Sequence, residues 1–69
     1  MNLSQLRYFR KLAQVQHFTR AAEELFITQP ALTNYIKRME EELGVTLVDR
    51  TTKPLQFTAY GLSLIHISE

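Results

Sequence analysis

Apolar side chains recur at Leu3, Leu6, Phe9, Leu12 and Ala13, steps that predict an amphipathic helix. The pattern runs from about residue 4 to about residue 15, with Ser4 as its N-cap candidate. The stretch QVQH interrupts it. Thr19 is the next N-cap candidate, followed by Glu23 and Glu24 near a helix start. Ala21, Ala22 and Leu25 make a short buried side, and the two small alanines let another helix come close. This second helix ends near Leu25 or Phe26.

A third helix begins almost at once. Thr28 is its N-cap, and Pro30 falls in the first turn, where a missing N–H costs no intrahelical bond. Ile27 and Leu32 have the spacing of a hydrophobic staple. Leu32, Ile36, Met39 and Leu43 form one apolar stripe, and Gly44 closes the helix. At roughly 100° per residue, Thr33, Asn34, Lys37 and Glu41 fall on the opposite side. Beyond Gly44, VTLVDR and PLQFT are short and β-prone, with turn residues TTKP between them. They predict a hairpin at about residues 46–57, with Leu47, Leu55 and Phe57 folding back onto the helices. Thr58 is placed to cap a fourth helix.

The fold class predicted is mainly α, three helices with a small β-hairpin. A length of 69 residues allows one small domain, near the lower limit for folding alone. With 45% hydrophobic and 22% charged residues, a packed core is feasible and disorder is not expected. No cysteine is present, which removes disulfides and thiolate metal sites. No stretch approaches the roughly 20 apolar residues that span a bilayer, and the N-terminus lacks a secretory pattern. No membrane contact is therefore expected, and cytoplasmic placement follows by default.

A net charge of +1 carries no global signal for nucleic acid, so the distribution matters more. Arg7, Arg10, Lys11 and Arg20 precede every acid, whereas Glu40, Glu41 and Glu42 crowd the end of the third helix. That order suggests a molecule with one basic side. Acids at a helix C-terminus oppose its dipole by a few tenths of a kcal/mol each. Keeping carboxylates away from phosphates is a reason to accept that cost.

Two helices joined by a very short turn, the second with one polar face, describe a helix-turn-helix unit at about residues 18–37. In that unit the second helix enters the major groove of double-stranded DNA. Gln29 and Asn34 can offer adenine a donor and an acceptor together, Thr33 can meet a base or a thymine methyl, and Ala31 permits close approach. Thr28 and the helix N-terminus suit a phosphate, and Arg50 and Lys53 lie where a wing would reach another. The competing reading is a winged helix used for protein–protein contacts. An enzyme is disfavoured: His17 and His66 are far apart, and there is no phosphate-cradling or nucleophile motif. No catalytic residue, metal or cofactor is expected.

LRYF, FTRAAEELFITQPALTNYIKRMEEELGVTLVDRT and LQFTAYG resemble the N-terminal domain of LysR-type transcriptional regulators, from Met1 to about Gly61. The resemblance implies a winged helix-turn-helix over residues 1–58 and the start of a dimerising linker helix over residues 59–69. It further implies a homodimer or tetramer in the full-length protein, and a C-terminal domain that binds a small-molecule effector. DNA contacts are implied for Thr28, Gln29, Pro30, Thr33, Asn34, Lys37 and the wing from Arg50 to Lys53. The expected base-reading set is Gln29, Pro30, Ala31, Thr33 and Asn34. The expected backbone set is Thr19, Arg20, Thr28, Lys37, Arg50, Thr52 and Lys53.

Some positions depart from the family pattern. Val48 stands where phenylalanine is usual, which predicts looser wing packing, and Asn34 stands where arginine is common, which alters the base preference. Tyr60 replaces a small residue and His17 a serine. The tail LSLIHISE has two readings, the start of the linker helix or a translated adapter sequence. On either reading the chain is expected to be a fragment.

Overall fold

The computed structural model describes residues 2–68. Along them run α1 (Leu3–Val15), α2 (Phe18–Leu25), α3 (Gln29–Leu43), β1 (Val48–Asp49), β2 (Gln56–Phe57) and α4 (Ala59–Ser68). The architecture is a winged helix-turn-helix, mainly helical, with β1 and β2 as an antiparallel wing.

Two helix starts differ from expectation. α1 is capped by Asn2, not Ser4: its Oδ1 accepts from the Gln5 N–H at 2.9 Å while its own N–H donates to Gln5 Oε1 at 3.0 Å. This reciprocal pair satisfies two orphan donors, which a serine inside the helix could not do. α2 is capped by His17, not Thr19, with His17 Nδ1 accepting from the Arg20 N–H at 3.2 Å. The chain reverses through Gln16 at φ 58°, so His17 is the first residue free to be extended, and Thr19 is already helical. α3 starts as predicted, with Thr28 Oγ1 accepting from the Ala31 N–H at 3.3 Å. It ends at Gly44, whose φ of 71° suits glycine.

α1, α2 and α3 pack pairwise around one core. Leu32, Ile36 and Met39 of α3 are fully buried with Phe9 and Leu12 of α1 and the paired alanines of α2. Leu43 is the exception in the predicted stripe. It is 42% exposed, because the last turn of α3 runs past the three-helix core.

Pairing of Val48 with Phe57 and Asp49 with Gln56 closes the wing. Phe57 meets Phe9 edge to face at 5.5 Å, which anchors β2 on α1. Val48 is buried beside Leu47, so the smaller side chain does not leave the root of the wing open. Thr58 caps α4 by accepting from the Gly61 N–H at 3.2 Å, and its own N–H donates to the Leu47 carbonyl at 3.0 Å. Gly61 lies against that same carbonyl, with no room for a Cβ. α4 turns back onto α1 and buries Leu64. No helix among the described residues is long and apolar enough to cross a membrane.

Candidate nucleic-acid interface

The N-terminal turns of α3 face the wing across a cleft of about 300 Å³. Gln29 and Thr33 line one side, Arg50, Thr52 and Lys53 the other, and His17, Phe18 and Thr19 close the end. The cleft thus gathers residues from both the base-reading and the backbone sets. Arg20, Thr28, Pro30, Asn34 and Lys37 lie outside it and are all exposed. Ala31 is half-buried, with little side chain to present.

Gln29 Nε2 donates to Thr33 Oγ1 at 2.7 Å. A primary amide has two N–H donors, so one remains free together with Oε1. That free pair is the donor and acceptor combination that the adenine edge takes. The bond to Thr33 therefore orients Gln29 and leaves that donor and acceptor unused. Asn34 and Lys37 have no partner among the described residues.

The wing tip is shaped by Asp49, whose carboxylate accepts from the backbone N–H of Thr51 at 2.9 Å and also from its hydroxyl. The Thr51 hydroxyl and N–H hold the Asp49 carboxyl below its usual pKa. From this turn Lys53 projects exposed, with no partner among the described residues. Arg50 is differently placed. Its Nη2 lies 3.3 Å from Glu40 Oε1, and its guanidinium carbon lies 5.6 Å from the centre of the Phe18 ring.

Two anchors of the wing have no counterpart among the sequence expectations. Glu40 Oε2 accepts from the N–H of Leu47 at 2.8 Å and from that of Val48 at 3.3 Å. Gln16 Nε2 donates to the Leu55 carbonyl at 3.1 Å, and the Leu55 N–H donates back to the Gln16 carbonyl at 3.4 Å. An acid one turn before a glycine-closed helix, with a strand following, was the available signal for Glu40. Nothing local marks Gln16.

Arg7 and Arg10 border a hollow with Leu3, Leu6 and Ile67, while Lys11 pairs with Glu24 at 3.3 Å. Lys37 and Arg38 are exposed on α3 itself, and Arg50 reaches Glu40 of that helix at 3.3 Å.

A short helix, a tight turn and a longer helix bordering a two-stranded wing define a winged helix-turn-helix protein. The chain belongs to the lysR family of bacterial regulatory helix-turn-helix proteins, whose model matches residues 3–62. It is 43% identical over 65 residues to a hydrogen peroxide-inducible genes activator of Pectobacterium carotovorum, covering 94% of this chain and 22% of that protein. It is 49% identical over 61 residues to the HTH-type transcriptional regulator YybE of Bacillus subtilis, covering 88% of this chain and 21% of that one. The crystal structure of the BenM DNA-binding domain with catB site 1 DNA superposes with a TM-score of 0.95 at 40% identity. That match covers 99% of this chain and 73% of the BenM chain. The chain spans about a fifth of the length of the first two relatives.

Proposed function

We propose that this chain is the DNA-binding part of a LysR-type transcriptional regulator, laying α3 in the major groove of duplex DNA and its wing on the backbone. The observation that carries this reading is the shared cleft, where Gln29 and Thr33 of α3 face Thr52 and Lys53 of the wing. Base contacts are assigned to Gln29, Pro30, Ala31, Thr33 and Asn34. Phosphate contacts are assigned to Thr19, Arg20, Thr28, Lys37, Thr52 and Lys53, with Arg50 bordering them. A BenM domain of nearly the same shape was solved on DNA, which supports the docking. Within the cytoplasm, the full-length protein would assemble as a homodimer or tetramer and answer to a small-molecule effector through its C-terminal domain. α4 exposes Tyr60 and Ile67 on one side and Leu62 on another, apolar surface suited to a dimer contact.

The test is selection of a cognate duplex from random sequence, followed by anisotropy titrations of the parent and Asn34→Ala. Asn34→Ala is expected to cost on the order of 1–3 kcal/mol on the selected site and little on unrelated duplex. Equal loss on both would move Asn34 to backbone positioning. Failure of the parent to select any sequence would favour a protein-contact module instead.

A further inference from the structure

Glu40 stands near the end of α3, outside the cleft, yet three donors from the wing segment converge on its carboxylate. Oε2 holds the N–H groups of Leu47 and Val48, at 2.8 and 3.3 Å, and Oε1 faces Arg50 at 3.3 Å. The Glu40 side chain is 13% exposed and that of Arg50 35%. Arg50 in turn covers the face of Phe18 at the start of α2. One carboxylate therefore ties α3 to the wing, and one guanidinium ties the wing to α2. Such charge-assisted bonds are roughly twice as strong as neutral ones.

Resting on the DNA-binding reading above, we propose that Glu40 and Arg50 form a latch that positions the wing, so that Lys53 meets phosphate while Arg50 stays on the protein. Moving Arg50 to a phosphate would leave the Glu40 carboxylate mostly buried without its counter-charge. It would do so beside the phosphates, where a bare carboxylate repels them. Lys53 carries no such obligation. The latch thus divides the two wing cations: Arg50 sets the position of the wing and Lys53 makes the contact. Glu40 is a positioning residue, since it acts on DNA only through the wing.

The test uses the 69-residue chain and a fluorescein-labelled mixed-sequence duplex of about 25 base pairs, titrated over a salt series. Arg50→Met keeps an apolar stem over Phe18 and removes the charge. Glu40→Gln keeps an acceptor for the Leu47 and Val48 N–H groups and removes the charge facing Arg50. Glu41→Gln, at an exposed position, controls for lost negative charge. The latch predicts that Glu40→Gln binds about three- to fivefold more weakly than Glu41→Gln, and that Arg50→Met loses a similar factor. The double variant is expected to be no weaker than either single one, because both break the same link. Lys53→Ala is expected to flatten the log K against log salt slope by about 0.9.

If Arg50→Met flattens the slope by that amount while Glu40→Gln binds more tightly than Glu41→Gln, the latch is wrong and Arg50 is itself a phosphate ligand. Amide exchange at Asp49, Gln56 and Phe57 in the free variants gives a second reading. Faster exchange in Glu40→Gln and Arg50→Met than in Glu41→Gln supports the latch, and unchanged exchange overturns it. A parent that fails to bind the duplex removes the DNA reading, while the exchange comparison still decides the latch.

Discussion

Replacing Gly61 by alanine tests the closest approach in the fold, the seat of α4 on the wing. A Cβ at Gly61 would run into the Leu47 carbonyl oxygen and would lie 3.3 Å from Phe57 Cβ. The obstacle is backbone, which cannot rotate aside as a side chain does. That carbonyl also accepts from the Thr58 N–H at 3.0 Å, so any shift disturbs the cap of α4. Overpacking of this kind typically costs about 1–3 kcal/mol, and the better helix propensity of alanine returns up to about 1 kcal/mol. A net loss of roughly 1–2 kcal/mol is large for a domain of this size, whose total stability is on the order of 3–10 kcal/mol. With about 4–8 °C of Tm per kcal/mol, circular dichroism melts should show Gly61→Ala lower by roughly 5–15 °C. Gly44→Ala is the comparison, since nothing lies within 4 Å of its Cβ position and only its φ of 71° resists substitution. That strain alone is worth about 1 kcal/mol. A Gly61→Ala protein that melts at or above the parent would mean that α4 does not sit where the fold places it.

Phe26 holds φ 60° between α2 and α3 while its side chain is 94% exposed, so strain is present with little packing to offset it. Phe26→Gly should raise stability by about 0.5–1 kcal/mol in denaturant titrations, and a loss would show that the ring has a packing role. The Asp49 carboxyl, lowered by the Thr51 hydroxyl and N–H, should titrate below 3.8 by carboxyl-carbon NMR. Its folded pKa is the lower one, so its contribution is complete above the unfolded value and is lost as pH falls through the folded value. Thr51→Val removes the hydroxyl and should move the midpoint back up; an unmoved midpoint would refute that cause.

The helices were legible because their signals are local and repeated. Thr28, Pro30 and Gly44 bracket α3 through chemistry each residue carries on its own, and Leu32, Ile36 and Met39 share a face by geometry alone. Caps were harder to read. Ser4 and Thr19 are better capping types than His17, but the turn at Gln16 decides which residue is left extended, and turns answer to tertiary contacts. Leu43 kept the right period, yet nothing in periodicity tells where the core stops. The grouping of Gln29 and Thr33 with the wing was visible only as a type of fold, since the cleft joins segments far apart in sequence. The Glu40 and Gln16 anchors were invisible for the same reason, and with them the engagement of Arg50.

The acids at the end of α3 show how structure alters a charge argument. Avoidance of phosphate accounts for their place by repulsion alone, at a dipole cost of a few tenths of a kcal/mol each. In the fold they are not equivalent. Glu42 accepts from Gln5 Nε2 of α1 at 3.4 Å, Glu41 is exposed beside a hollow that Lys37 also lines, and Glu40 carries the wing. Hydrogen bonds to a charged acceptor contribute about 1.5–3 kcal/mol, several times the dipole penalty. Leu47 and Val48 are both 1% exposed, so without Glu40 their N–H groups would lose an acceptor in a setting poor in water. The magnitudes therefore place Glu40 at the helix end for what it holds. Repulsion from DNA remains a sufficient account only for Glu41, which is exposed like Glu42 but bonds to no other element among the described residues.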